Sequence, residues 1–238
     1  MVLVNGEGGY RDNEGMTALG YLDNEGMTAL TEWTILVPLK ATSRGKSRLE
    51  MAPEMRRRLA MAMAMDTVSA AAECGQVLVV VEDDADAAAL GAMADVRVHR
   101  TEVTGLNESI RDGLRLLSSE AVPAEQGPVV RRFAVLPGDL PGLQSAELGA
   151  VLRQSESYRF AVVADHQQIG TTLLAARTTA DLRPAYGSDS FRRHQLLGAV
   201  ALSVPPESSL RWDVDTAADL NGGVGLNTTA ALTALRTN

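Results

Sequence analysis

Arg132-Phe133-Ala134-Val135-Leu136-Pro137-Gly138-Asp139-Leu140-Pro141 is the stretch whose reading decides the fold. Residues 132–136 make a short apolar run, which reads as a strand buried on both faces. A strand that ends in Pro-Gly-Asp delivers one carboxylate to the edge of a sheet. Glycine permits the sharp turn, and Pro137 and Pro141 fix the backbone on either side of Asp139. Working outward, similar runs recur at 33–39, 76–81, 96–99, 160–164, 171–175 and 199–204. Between them, helical spacing predicts helices at 54–74, 84–94, 107–117, 145–154 and 190–197. Pro53 marks the start of the first helix and Gly75 its end. Residues 121–128 read as a Pro/Gly linker. This alternation predicts an α/β fold: a mostly parallel sheet covered by helices on both faces. Ligands of such sheets sit beyond the carboxyl ends of the strands.

Composition narrows the class. With 238 residues the chain can bury a substantial core, as one large α/β domain or two small ones. Hydrophobic residues make up 45% but aromatics only 4%, so Val, Leu, Ala and Met must fill the core. That suits helices on a sheet better than a sandwich. A net charge of −8 argues against a nucleic-acid partner. Cys74 stands alone, which excludes an internal disulfide and points to a reducing compartment. No apolar run approaches the roughly 20 residues needed to span a bilayer, and no secretory signal pattern opens the chain. A soluble cytoplasmic protein is expected, with no membrane partner, as a monomer or homodimer.

DNEGMTAL occurs at 12–19 and again at 23–30. Two short, Gly-containing copies with few large apolar residues cannot bury a core of their own. Residues 1–30 are expected to be a disordered or dispensable leader, or alternatively an interaction arm, with the folded domain at 31–238.

The residues that carry chemistry fall at strand ends. Lys40-Ala41-Thr42-Ser43-Arg44-Gly45-Lys46-Ser47-Arg48 combines glycine, hydroxyls and four cations. Such a loop can wrap a polyphosphate, or it can be a solvated basic loop. It is not a P-loop, because that motif would need glycine where Lys40 stands. With Arg56, Arg57 and Arg58 it gathers seven of the 22 basic residues, too few for duplex DNA but suited to a triphosphate. Asp139 fits a hard cation such as Mg2+, which takes a few carboxylate oxygens and shares the rest with phosphate and water. Its other reading is a cap for the helix at 145. Asp213 and Asp215 alternate on an extended segment and so point to one side. Thr216 and Asp219 have capping-box spacing, so one of that aspartate pair could be only a local cap. Gly170-Thr171-Thr172 and Tyr186-Gly187-Ser188-Asp189-Ser190 offer hydroxyls and adaptable backbone to an anionic substrate. Ser190 falls at a helix start, where it serves an anion or merely caps the helix. Asn107 and Ser109 begin a helix that could touch a base or ribose. His99, His166 and His194 have no metal-binding spacing, and no GxSxG, CxxC or GxGxxG in the required context occurs.

In order, the chain presents Lys40…Lys46-Ser47-Arg48-Leu49, Leu106-Asn107-Glu108-Ser109-Ile110, Leu136-Pro137-Gly138-Asp139-Leu140-Pro141, Gly170-Thr171-Thr172, Tyr186-Gly187-Ser188-Asp189-Ser190-Phe191-Arg192-Arg193-His194 and Asp213-Val214-Asp215-Thr216. Over residues 33–220 this succession resembles the 2-phospho-L-lactate and phosphoenolpyruvate guanylyltransferases of coenzyme F-420 biosynthesis. The GxDSxxRH stretch discriminates, whereas GDLP and DVDT recur in many nucleotidyltransferases. The resemblance implies a single glycosyltransferase-A-like (Rossmann-like) domain that couples GTP to phosphoenolpyruvate or 2-phospho-L-lactate and releases pyrophosphate. It implies Mg2+ on Asp139, Asp213 and Asp215, and nucleotide binding by Pro38, Lys40, Lys46, Arg48, Asn107 and Ser109. Lys46, Arg48 and Asp139 would be catalytic, and Thr171, Gly187 and Ser190 would hold the acid. The segment before Asn107 is short, and Thr172 stands where the family often has a small apolar residue. Two other readings remain at this stage: a nucleotidyltransferase for a sugar phosphate or molybdopterin, and a non-catalytic nucleotide-binding module. The absence of a catalytic histidine suits phosphoryl transfer, since an ionised phosphate needs positioning rather than a general base.

A chain beginning at Met27 is expected to match the full chain in activity and melting temperature. A loss of several degrees in a side-by-side melt would show that the preceding residues pack on the domain.

Overall fold

The computed structural model describes residues 21–22, 28–40, 51–120 and 129–236. The chain divides into two compact units, residues 1–31 with 123–130 and residues 32–122 with 131–238. In the first, β1 (Tyr21–Leu22) pairs antiparallel with Ala29 and Thr28 at the start of β2 (Thr28–Leu39). Most of the expected leader and the whole 121–128 linker lie outside the described residues.

After β2 the chain continues with α1 (Pro53–Ala72), β3 (Gln76–Val81), α2 (Asp84–Leu90), β4 (Val96–Arg100), α3 (Leu106–Ser119) and β5 (Val129–Val135). Then come α4 (Ser145–Ser155), β6 (Phe160–Ala164), β7 (Thr171–Ala176), α5 (Ser190–Leu196), β8 (Val200–Ala201) and α6 (Leu226–Arg236). The sheet order is β4-β3-β2-β5-β7-β6-β8. β2, β3 and β4 run parallel, as do β6 and β8, while β7 is antiparallel to both β5 and β6. The α/β class and the mostly parallel mixed sheet are those the alternating pattern predicts.

Alternation along each strand builds two cores. Ile35, Val37, Val77 and Val79 face one side with Val68 of α1 and Leu148 and Leu152 of α4. Leu36, Leu78 and Val80 face the other with Ile110, Leu114 and Leu117 of α3. Both faces are therefore covered, and uninterrupted apolar strands are the consequence. Among the described residues no helix is long and apolar enough to cross a membrane.

Four local differences from the sequence pattern have physical causes. β2 begins at Thr28, ahead of its apolar run, because β1 pairs with that polar extension. α2 stops at Leu90, where Gly91 caps it, short of the expected 94. β8 has only two residues instead of spanning 199–204, because it lies at the sheet edge just ahead of Pro205 and Pro206. α6 has no strong local start signal. Its first N–H groups are received by the buried Asp66 carboxylate of α1, from Asn227 at 3.0 Å and Thr228 at 2.8 Å.

Gly75 is needed for a reason other than a left-handed helix end. Its φ is not in the left-handed region, but a Cβ there would lie 2.5 Å from the Trp33 carbonyl oxygen. The turn between α1 and β3 thus presses against the backbone of β2. Gly75→Ala is expected to cost about 1–3 kcal/mol through overpacking, seen in a thermal melt as a fall of roughly 2–10 °C.

Candidate active site

The sheet sets the position of Asp139. The Leu136 N–H donates to the Leu36 carbonyl at 3.0 Å, extending the alignment of β5 beside β2 by one residue. The loop beyond is then held from three sides. The Leu140 N–H donates to Thr67 Oγ1 at 3.1 Å, and the Thr67 hydroxyl donates to the Met63 carbonyl of α1 at 2.9 Å. The Gly225 N–H donates to the Pro141 carbonyl at 2.7 Å. A Cβ on Gly138 would lie 2.1 Å from Leu39 Cδ2, so the turn passes close over β2 and a larger residue would have to displace the end of the Leu39 side chain. Asp139 is not the cap of α4, whose N-cap position is Gln144.

The Val214 N–H donates to the Asp139 carbonyl at 3.0 Å, which brings Asp213 and Asp215 to the same place. One carboxylate oxygen from each of the three aspartates lies within 4.8 Å of the others. The local cap is made elsewhere: Asp219 accepts the N–H groups of Asp215 and Thr216, at 3.0 and 2.6 Å. The helical turn that follows needs neither Asp213 nor Asp215 as its cap. Burial pushes the Asp213 carboxyl up to about 7, reinforced by the charges of Asp139, Asp215 and Asp165. His166 stacks on Trp212 at 4.5 Å and approaches Asp213 Oδ1 with its Nδ1 at 3.9 Å. Hard oxygen donors converging with like charge suit a divalent cation such as Mg2+.

The hydroxyl-bearing residues lie in a second group, with the Arg193 guanidinium packed against Gly187. Thr171 opens β7 and Ser190 opens α5, and the Ser190 hydroxyl donates to Thr171 Oγ1 at 3.3 Å. Gly187 has φ +127°, a conformation that demands glycine, and Asp189 follows in the left-handed region at φ +56°. Asn107 holds this loop with both ends of its amide: Nδ2 donates to the Tyr186 carbonyl at 2.9 Å, and Oδ1 accepts its N–H at 2.8 Å. Both polar atoms of the Asn107 amide are thus engaged by the backbone of Tyr186. Ser109 is buried and its hydroxyl donates back to the Gly105 carbonyl at 3.0 Å, the geometry of an internal helix bond. Pro38 is buried in β2 opposite Val80, and Lys40 is exposed just beyond the strand. Lys46 and Arg48 lie outside the described residues.

Tyr186, quoted above only as the start of its motif, and Asp165, which the sequence reading did not single out, join these groups. Burial, and then the Asp139 charge, push the pKa of the Tyr186 phenol up, so Tyr186 lies within the field of that aspartate. Asp165 raises the Asp213 pKa while its oxygens accept the N–H groups of Ile169 and Gly170 at 2.9 and 2.8 Å. The segment leading into Thr171 is therefore tied to the same centre. Asp165 is a lone aspartate just past a strand end with no distinctive spacing, so it did not stand out in the sequence.

A mixed α/β sheet with a carboxylate cluster at a strand end and a separate hydroxyl pair beside it is the arrangement of a nucleotidyltransferase. Residues 33–222 match the model of the family described as guanylyl transferase CofC like, and the chain belongs to that family. It is 38% identical over 209 residues to phosphoenolpyruvate guanylyltransferase of Thermomonospora curvata, covering 85% of this chain and 89% of that one. It is 41% identical over 203 residues to the Streptomyces coelicolor protein of the same name, covering 82% and 91%. Among solved structures, a 4-diphosphocytidyl-2C-methyl-D-erythritol synthase superposes with a TM-score of 0.53 at 15% identity, over 87% of this chain and 99% of that one. That likeness concerns the fold alone.

The cluster's mutual repulsion gives a stability test. In metal-free buffer above the Asp213 pKa, where all three carboxyls are ionised, Asp139→Asn is expected to raise the melting temperature by a few degrees, because it removes one of three crowded charges. Added Mg2+ or Mn2+ should raise the melting temperature of the natural chain and have little effect on the variant.

Proposed function

We propose that the chain transfers the guanylyl group of GTP to phosphoenolpyruvate and releases pyrophosphate, as a step in coenzyme F-420 biosynthesis. The observation that carries this reading is the pairing of two unlike subsites. A cluster of three carboxylates suited to a metal stands beside a neutral hydroxyl pair, bordered by Tyr186 and Asp165. Relatives covering more than four-fifths of the chain bear the name phosphoenolpyruvate guanylyltransferase.

In this mechanism an oxygen of the substrate's own phosphate attacks the α-phosphorus of GTP. The bond from that phosphorus to the bridging oxygen breaks, and the electron pair leaves with pyrophosphate. Asp139, Asp213 and Asp215 would hold Mg2+, which supplies positive charge to the α-phosphate and the leaving group. Lys40, Lys46 and Arg48 would neutralise the triphosphate. Thr171, Gly187 and Ser190 would hold the carboxylate of the acid. No side chain has to remove a proton, because the nucleophilic phosphate is already ionised near neutrality. 2-Phospho-L-lactate differs from phosphoenolpyruvate by little more than planarity, a difference worth about 1–3 kcal/mol without a dedicated polar contact. The GxDSxxRH stretch, closest to that of bacterial members, favours phosphoenolpyruvate.

Pyrophosphate release should be measured with GTP, ATP, CTP and UTP against phosphoenolpyruvate, 2-phospho-L-lactate and 3-phosphoglycerate. The expected outcome is turnover with GTP and phosphoenolpyruvate. Preference for phospholactate would overturn the substrate but keep the reaction, and turnover with a sugar phosphate instead would overturn both. Asp139→Asn should lower kcat on the order of a hundredfold or more; a near-normal rate in saturating Mg2+ would remove the metal site. Ser190→Ala should raise KM for the acid far more than KM for GTP, and equal effects would move Ser190 out of the acid subsite.

A further inference from the structure

His194 is fully buried at the end of the GxDSxxRH stretch, and the chemistry above does not use it. Its two ring nitrogens face partners of different character. The Ala185 N–H, which can only donate, meets Nε2 at 2.9 Å, so Nε2 carries a lone pair. Burial, and then the Arg193 guanidinium, push the ring's pKa down to about 4, leaving it uncharged near neutrality. Its single proton therefore sits on Nδ1. That nitrogen lies 2.9 Å from Thr171 Oγ1, and its N–H is directed to that oxygen and to the Ser190 backbone carbonyl.

A proton count follows from this tautomer. Thr171 Oγ1 receives one hydrogen bond from His194 and another from the Ser190 hydroxyl. Both its lone pairs are then filled, and among the described residues no acceptor takes its own proton. Reversing the Thr171–Ser190 bond only moves the spare proton to Ser190. With the opposite tautomer Thr171 would donate to Nδ1, Ser190 would donate to Thr171, and no hydroxyl proton would remain. The ring thus decides whether this pair offers an incoming ligand a donor or only lone pairs.

We propose that His194 is a positioning residue whose Nδ1–H turns the Thr171–Ser190 pair into a hydroxyl donor, so that the subsite selects an anionic carboxylate over a neutral group. Hydrogen bonds to a charged acceptor are roughly twice as strong as neutral ones, so the spare proton rewards a carboxylate most. The proposal rests on the reading of Thr171 and Ser190 as acid-binding residues.

Heteronuclear NMR of the imidazole nitrogens in the full chain tests it directly, with the His194 signals identified by their loss in His194→Asn. The expected ring has a protonated Nδ1 and a bare Nε2; a protonated Nε2, or a charged ring near neutral pH, overturns the proposal. Kinetics give a second reading. His194→Gln keeps an acceptor for the Ala185 N–H but loses the donor to Thr171, whereas His194→Asn keeps a donor near Nδ1 and loses the acceptor. KM for phosphoenolpyruvate should rise about tenfold or more in His194→Gln, with KM for GTP unchanged, and much less in His194→Asn. Equal rises in both, in step with lost melting temperature, would reduce His194 to packing and overturn the proposal. If Thr171→Val and Ser190→Ala leave the acid KM unchanged, the acid-site reading fails and takes the proposal with it. If both raise it while Nε2 is protonated, the proposal alone fails.

Discussion

The hydrogen bond from the Val214 N–H to the Asp139 carbonyl joins two loops that are far apart in the chain, and in doing so it crowds three carboxylates together. Like charges at this spacing repel, and burial adds to the cost, as the raised pKa of Asp213 records. The surrounding fold has to hold the loops against that repulsion. Thr67 of α1 grips Leu140, Gly225 grips Pro141, and Asp66 of α1 receives the start of α6 directly after Gly225. α1 therefore acts as a brace for both the 139 loop and the C-terminal helix. A cation that replaces the repulsion with attraction would convert this stored cost into binding energy.

The loop that carries Gly187 and Ser190 is built on a different principle. Thr171, Gly187 and Ser190 carry no charge themselves, the Arg193 guanidinium lies against Gly187, and the loop is ordered by hydrogen bonds from neutral side chains. Asn107 clamps Tyr186, and His194 holds both Ala185 and Thr171. Neutral donors in a buried setting can bind an anion without the desolvation cost of burying a cation to match it.

The two halves meet through side chains that carry no motif. Tyr186 lies within reach of the Asp139 charge, and Asp165 links the entrance of β7 to Asp213. Arg211 adds a further tie: it is buried, and its guanidinium donates to the Asp165 carbonyl at 2.9 Å and to the Val204 carbonyl at 3.3 Å. The segment carrying Asp213 and Asp215 is thereby anchored at its start to the loop that leads into Thr171.

Much of this was legible in the residues themselves. Apolar runs of strand length alternating with helical spacing determined the α/β class, because burial on both faces forbids polar alternation in the strands. Pro-Gly-Asp at a strand end and Asp-Val-Asp on an extended segment marked the carboxylates, because turn chemistry and a period of two are local properties. What the sequence could not determine is which local signals point at a ligand and which point inward. Asn107 and Ser109 sat at a promising helix start, yet Asn107 clamps Tyr186 and Ser109 turns back on its own helix. α6 lacked a strong local start because its N–H groups are received by Asp66, more than 150 residues away in the chain. His194 carried no metal spacing, and only its contacts with Ala185 and Thr171 reveal its tautomer. Hydrogen bonds of this kind depend on the distance between folded segments, not on spacing along the chain, so the tertiary structure alone decided them.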